Sequence, residues 1–207
     1  MHTKLLVNTA YFPPVQYLSA IKKYDTLFIE QFENYGKQSY RNRCHILSAN
    51  GPLILSVPVQ KNEGHKFLTR DAKIDYSTAW QKLHFKGIES AYKNSPFYEY
   101  YMDDLAVFFS SKSTYLLDFN TRILHTLLAL LHLDKDIAYT EDFIRETDGY
   151  ADLRNVIHPK PARRRGEDLE FQARPYTQTF HDRFPFFPNL SVLDLLFNAG
   201  PEANRYL

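Results

Sequence analysis

The sequence contains few of the residues on which disulfide-stabilised proteins and common nucleotide-binding enzymes depend. It has one cysteine, Cys44, one tryptophan and seven glycines among 207 residues. A lone cysteine excludes an internal disulfide and a Cys-rich zinc cluster, which agrees with a reducing compartment. No Gly-rich phosphate loop, Walker-type Lys-Ser/Thr pair or Gly-x-Ser-x-Gly elbow occurs, so the standard nucleotide-binding loops and the nucleophile elbow of serine hydrolases are not expected.

Long apolar runs and an excess of charge are also missing. The most apolar stretch, 123–133, has about two-thirds of the length of a membrane helix, so we expect a buried core helix and no membrane insertion. The apolar stretch before Asn8 is too short for a signal peptide, and we expect a cytoplasmic protein. With 25 basic and 24 acidic residues the net charge is +1, so no nucleic-acid partner is expected and any anion site must be local.

The spacing of apolar residues in the first part of the chain predicts alternating strands and a helix. Strands at 4–8 and 26–30 flank a helix at 15–24, an order typical of a parallel strand pair. Asn50-Gly51 separates two extended segments, 39–47 and 53–59, and predicts a hairpin. We therefore predict a single α/β domain over residues 1–207, with a mainly parallel sheet flanked by helices and one β-hairpin insertion.

The rest of the chain adds helices and short strands. Helices are predicted from about residue 79 to the turn at 94–96, and at 97–109, 114–131 and 191–198, and strands at 74–76, 137–140, 156–157 and 169–176. The strand at 156–157 would lead directly into a basic loop that begins at His158. Loops at strand ends are where α/β folds place their sites.

Four motifs follow one another along nearly the whole chain. They are the aromatic-Pro turn at 10–18, the Tyr-Arg-Asn-Arg segment at 40–43 with its hairpin, the Trp-Gln-Lys helix start at 80–82 with the Ser-Pro-Phe-Tyr-Glu turn at 95–99, and the closing run at 187–198 with Gly200. In this order they resemble the motifs of the bacterial WbqC-like family, although Thr9-Ala10 stands where that family commonly has Gln-Pro. The resemblance implies a role in building surface polysaccharides such as O-antigen, and it suggests transfer of an aminoacyl-type group to an amino sugar.

Cationic side chains form two candidate anion-binding groups. In an extended segment Arg41 and Arg43 would share one face and Asn42 would take the other, and two adjacent guanidinium groups suit a phosphate, nucleotide or carboxylate. His158 and Lys160 precede three consecutive arginines in the predicted basic loop, which suits a phosphate or an acidic sugar. The alternatives are surface salt bridges for the first group and a solvated loop for the second.

A second set of candidates lies on the predicted helix that begins near residue 79. His84, one turn after Trp80, is the candidate acid/base group, with a satisfied core histidine as the alternative. Trp80, Gln81 and Tyr11 of the aromatic-Pro turn are candidate substrate contacts. No His-x-x-x-His or His-Glu-x-x-His pair supports a metal site, and no motif assigns a cofactor.

The closing motif supplies the remaining candidates. Asp194 is predicted to be catalytic or, alternatively, to anchor a neighbouring loop. Asn189, Ser191 and Asn198 are candidate contacts for substrate hydroxyl groups, and capping of the helix at 191–198 is the alternative for the first two.

Two function classes remain open at this stage. A transferase acting on an anionic small molecule, such as a nucleotide sugar or an acyl donor, predicts a concave pocket in which Arg41 and His158 converge. A non-catalytic glycan- or protein-binding module would use some of the 15 tyrosines and 16 phenylalanines and predicts a contiguous exposed aromatic patch. The sequence assigns no oligomeric state.

Overall fold

A computed structural model describes residues 4–61, 66–166, 168 and 170–207 of the chain. Within these residues, strands form a four-stranded parallel sheet of order β5-β2-β1-β6 and an antiparallel β3-β4 hairpin. The strands are β1 (Lys4–Asn8), β2 (Thr26–Glu30), β3 (Arg43–Ser48), β4 (Gly51–Ser56), β5 (Asp136–Tyr139) and β6 (Tyr150–Asp152). The predicted α/β architecture, a mainly parallel sheet with one hairpin, is confirmed.

Helices pack around the sheet and the hairpin. They are α1 (Val15–Lys23), α2 (Trp80–Tyr92), α3 (Tyr98–Leu105), α4 (Val107–Ser110), α5 (Leu116–Leu130) and α6 (Val192–Ala199). Leu124, Leu127 and Leu128 of α5 are buried, so the most apolar stretch of the sequence includes a core helix as predicted. No helix in the described ranges is both long and apolar enough to cross a bilayer.

The parallel sheet fixes the position of the candidate site. Leu5, Leu6 and Val7 of β1 are all buried, as expected for a central strand covered on both faces. β1 pairs in parallel with β2 on one side and with β6 on the other, and β2 pairs with β5. The carboxyl ends of all four strands therefore meet at one edge, the place where open α/β sheets bind ligands.

The hairpin differs from the prediction at its start. β3 begins at Arg43 rather than at residue 39, and Arg41 and Asn42 lie in the preceding turn. Alternation along a strand therefore does not apply to Arg41 and Arg43, and the expectation that they share a strand face is wrong. Ser48 pairs with Gly51, whose φ of +101° lies in the region that favours glycine, which explains why glycine follows Asn50 here.

Three further predicted elements differ from the structure. The strand predicted at 156–157 is a turn, and the fourth strand of the sheet is β6, at 150–152. The predicted helix at 97–109 is divided into α3 and α4, and the strand predicted at 74–76 is reduced to an isolated bridge of Ile74 with Val59. Of the extended segment predicted at 169–176, Leu169 lies outside the described residues, and 171–176 forms no strand.

Candidate functional site

A cleft of about 930 Å³ opens at the carboxyl edge of the parallel sheet. Its lining comes largely from the segments that follow β2, β5 and β6, together with Arg41 from the turn before β3. We call it the arginine cleft; its lining residues are Phe32, Glu33, Asn34, Arg41, Phe143, Arg145, Arg154, Asn155, His158, Ala162, Arg163 and Arg165. The two predicted anion-binding groups thus meet in one cavity, since Arg41 and His158 both line it.

Arg154 is held in the cleft by two carboxylates at the ends of strands. Its Nη1 donates to Oε2 of Glu30 at 2.9 Å, and its Nε and Nη2 donate to the two oxygens of Asp152 at 2.9 and 2.8 Å. Burial alone would lower the pKa of Arg154, but the hydrogen bonds and charge of Asp152 and the charge of Glu30 raise it. Arg154 is therefore a fixed, permanently charged side chain.

Glu30 connects three of the loops that surround the cleft. Its side chain is fully buried, and Oε1 accepts hydrogen bonds from the Phe32 N–H and the Thr140 hydroxyl, both at 2.9 Å. Oε2 accepts from the Ile144 N–H at 3.1 Å and from Arg154. These four donors satisfy a buried carboxylate and tie the segments after β2, β5 and β6 together.

Arg41 forms the second ion pair of the cleft. Its Nε donates to Oε1 of Glu33 at 2.7 Å, its Nη2 lies 2.5 Å from the same oxygen, and its Nη1 donates to the Ser39 hydroxyl at 3.1 Å. Burial raises the pKa of Glu33, while the charge of Arg41 opposes that rise. Arg41 is thus paired with a carboxylate and also contributes to the cleft wall.

Three other arginines give the cleft its surplus of positive charge. Arg145, Arg163 and Arg165 line it and form no salt bridge with any described residue. Burial lowers the pKa of His158, a hydrogen bond with the Lys160 backbone opposes this shift, and the charges of Arg41, Arg163 and Arg164 add to it. The Lys160 N–H lies 3.0 Å from Nδ1 of His158 and orients the ring.

The other members of the two predicted anion-binding groups lie outside the cleft lining. Asn42 donates from Nδ2 to the Val57 carbonyl at 3.0 Å, which holds the turn against the end of the hairpin. Arg43 begins β3 opposite Ser56. Lys160 donates from Nζ to Oε1 of Gln38 on the protein surface.

Three of the four candidates on and near α2 lie in the buried core. Tyr11, Trp80 and His84 are buried and packed together, with the Trp80 and His84 rings 5.0 Å apart. Gln81 donates from Nε2 to the carbonyls of Phe108 and Ser111 and so joins α2 to the end of α4. These four side chains are not among those that line the arginine cleft.

Asp194 is the centre of a buried hydrogen-bond network. It is fully buried and accepts from the hydroxyls of Tyr92 and Tyr176 at 2.9 and 2.7 Å and from Nε2 of Gln178 at 2.9 Å. Burial raises the pKa of Asp194, and these three hydrogen bonds oppose the rise. The network fastens α2 and the irregular segment around 176–178 to α6, in agreement with the anchoring alternative.

The remaining residues of the closing motif make capping and packing contacts. Ser191 accepts the Leu193 N–H at 3.3 Å and caps α6. Asn189 caps α1 instead, because its Oδ1 accepts the Gln16 N–H at 3.0 Å. Asn198 donates to the Asp194 carbonyl one turn before it at 2.8 Å.

Sequence comparison connects this arrangement with a family. The sequence model of the WbqC-like protein family matches residues 9–206. The chain belongs to the WbqC-like protein family. The predicted membership is thereby confirmed, and the matched region of this WbqC-like chain includes every residue that lines the arginine cleft.

Similarity to an individual protein extends over nearly the whole chain. The WbqC-like chain is 28% identical over 230 aligned positions to a Mycobacterium tuberculosis (strain ATCC 25618 / H37Rv) protein named uncharacterized protein Rv1507c. The alignment covers 98% of this chain and 96% of that protein. No solved structure matches the chain.

Several cleft residues of the WbqC-like chain were not among the sequence-based candidates. Glu33, Arg145 and Arg154 are charged residues in segments without a motif. These residues could have been found from the sequence because they follow β2, β5 and β6 closely, but for Arg154 this requires β6 to be recognised as a strand. Among the described residues no group of three or more His, Cys, Asp or Glu side chains is arranged to hold a metal ion.

Proposed function

We propose that this WbqC-like protein is a transferase whose arginine cleft binds the anionic part of an activated small-molecule donor, such as a nucleotide sugar or an acyl donor. The observation that carries the proposal is the presence of Arg145, Arg163 and Arg165 in one cleft without carboxylate partners in the described part of the chain. Guanidinium groups bind phosphate and carboxylate with two parallel hydrogen bonds, so such a cluster favours a ligand with several anionic oxygens.

The size and walls of the cleft support a ligand larger than a simple ion. Its volume of about 930 Å³ lies near the upper end of the roughly 300–1,000 Å³ typical of small-molecule sites. Phe143 is 41% exposed and offers apolar surface to a base or sugar ring, with the Arg154 guanidinium 5.3 Å from its centroid. A nucleotide sugar has both chemical parts, a diphosphate for the arginines and rings for the phenylalanine.

The ion pairs beneath the cleft support a preformed binding site. Arg41 and Arg154 are oriented by Glu33, Glu30 and Asp152 before any ligand arrives, so little side-chain entropy is lost on binding. The family resemblance adds a proposed setting, bacterial surface-polysaccharide biosynthesis with an aminoacyl-type group transferred to an amino sugar.

Isothermal titration with UDP-N-acetylglucosamine, acetyl-CoA and pyrophosphate tests the anion site. We expect at least one of them to bind with an affinity that falls as salt rises, and to bind about tenfold or more weakly to Arg145→Ala and Arg163→Ala, because each loses a charge-assisted contact. Arg183→Ala is the matched control, since Arg183 is exposed and does not line the cleft. No binding of any anion, or equal losses in the control, would remove the proposal.

A non-catalytic binding module is the second candidate function. Tyr100 of α3 is 71% exposed, which gives this alternative one strongly presented aromatic side chain. An assay for transfer from the bound donor to amino-sugar acceptors separates the two. Binding without transfer to any acceptor in the panel would favour the module.

A further inference from the structure

Glu30 and Glu33 are three residues apart beside the arginine cleft, but their carboxylate oxygens are used differently. Both oxygens of Glu30 are occupied, each by two donors. From the described residues, every hydrogen bond to the Glu33 carboxylate goes to Oε1, from Arg41 and, at 3.5 Å, from the Thr69 hydroxyl. Glu30 is therefore a structural carboxylate, and Glu33 retains unused acceptor capacity.

The second oxygen of Glu33 is not sealed from solvent. Oε2 receives no hydrogen bond from the described residues, and it is not among the buried atoms that are sealed from solvent. Glu33 lines the cleft, and 14% of its side-chain surface is exposed. A carboxylate can accept about four hydrogen bonds, so Oε2 is free to accept from a bound molecule.

Charge favours a cationic donor at this oxygen. Glu33 is the one acidic side chain among the described residues that line the cleft, which otherwise presents five arginines. An ammonium group bound near those arginines would be repelled everywhere except beside a carboxylate, and the hydrogen bond it forms there is charge-assisted. Arg41 holds Glu33 in place and opposes the rise in the Glu33 pKa that burial causes.

We propose that Oε2 of Glu33 binds an ammonium group, so that the cleft selects ligands that carry a phosphate or carboxylate and an amine on the same molecule. The inference rests on the proposed anion site and specifies its ligand class. The anionic group contacts Arg145, Arg163 and Arg165, and the ammonium group contacts Glu33.

Two matched probes test this selectivity by isothermal titration at pH 7.5. 2-Aminoethyl phosphate and propyl phosphate have chains of equal length. The chain of the first ends in an ammonium group and that of the second in a methyl group. We expect the wild-type protein to bind 2-aminoethyl phosphate about tenfold more tightly, as one charge-assisted contact provides. Glu33→Gln should bind the two probes equally, and its affinity for propyl phosphate should hold or rise because Arg41 loses its ion pair.

The outcomes separate this inference from the anion site on which it depends. Equal binding of both probes by the wild-type protein, with both weakened by Arg145→Ala, would overturn the role of Glu33 and leave the anion site standing. A preference that persists in Glu33→Gln would also overturn it. If neither probe bound, the anion site and the inference would fall together. The wild-type comparison needs no variant, so equal binding of the two probes would overturn the inference even where Glu33→Gln does not fold.

Discussion

The hydroxyl of Tyr11 lies 2.8 Å from Nδ1 of His84, and both side chains are buried in the core. The Tyr11 ring also stacks on Phe119, with centroids 6.0 Å apart. Burial lowers the pKa of His84 to about 4, although contact with the Ser56 backbone opposes the shift. His84 is therefore neutral at pH 7 and joins α2 to the aromatic-Pro turn.

This low pKa predicts a loss of stability in mild acid. The unfolded chain binds a proton at His84 below a pH of about 6.5, whereas the folded chain does so only near pH 4. The free energy of unfolding is therefore not reduced by this residue above a pH of about 6.5, and it falls as the pH drops from there toward 4. At pH 4.5 the loss from this residue is about 2–3 kcal/mol. Urea unfolding at several pH values should show a shallower acid decline for His84→Gln than for the wild-type protein. Parallel pH profiles would contradict the assignment.

The Asp194 network predicts unequal effects of two similar substitutions. The Tyr92 hydroxyl donates to Asp194 and accepts the Leu47 N–H at 3.1 Å, whereas the Tyr176 hydroxyl donates to Asp194 without binding a strand amide. Tyr176→Phe should lower the free energy of unfolding by about 1–2 kcal/mol, and Tyr92→Phe by about 1 kcal/mol more, because it also leaves a buried N–H without a partner. Urea titrations measure both. Equal losses would mean that the Leu47 contact contributes nothing.

The strands β1 and β2 and the start of α6 can be predicted from short sequence patterns. β1 and β2 are short apolar runs that become buried in the sheet, and α6 begins directly after its capping residue Ser191. The two strands and this helix start can therefore be recognised from a few neighbouring residues. β6 has only the three residues Tyr150–Asp152, none fully buried, and is a strand because it pairs with β1. A segment this short carries no periodicity.

The candidate site depends on contacts that no local pattern reveals. Arg154 and Glu30 are 124 positions apart in the chain, and Asn189 caps a helix 173 positions before it. Arg41 was identified from its motif, but its place in a turn rather than in a strand brings it to the cleft. Residue types were thus informative about the chemistry, while the tertiary fold decides which of them meet.

Gly200 and Gly149 form a matched pair for testing the end of α6. Both have positive φ, +57° and +86°, but a Cβ on Gly200 would lie 2.5 Å from the Phe97 ring, whereas one on Gly149 would meet nothing within 4 Å. Gly149→Ala should lower stability by about 1 kcal/mol through backbone strain alone. Gly200→Ala should lower it by several kcal/mol, because the ring must also move. Thermal unfolding compares them, and similar melting temperatures would show that the Phe97 ring adapts freely.

The buried pair of Arg154 and Glu30 predicts strong coupling beside the cleft. Arg154→Met leaves a buried carboxylate without its cation, and Glu30→Gln weakens the same contact, so the arginine variant should lose about 3–5 kcal/mol of stability. The double variant should lose clearly less than the sum of the two single variants, because the second change removes the charge that the first left unpaired. Urea unfolding of the four proteins gives the coupling energy.

An exposed Arg–Glu pair is the control for this double-mutant cycle. Arg205 and Glu202 form a salt bridge at positions i and i+3 near the end of the chain, with both side chains more than half exposed. Its coupling should stay below about 1 kcal/mol, since water screens it. If Arg154 and Glu30 coupled no more strongly than this surface pair, their ion pair would not be what fixes Arg154 at the arginine cleft.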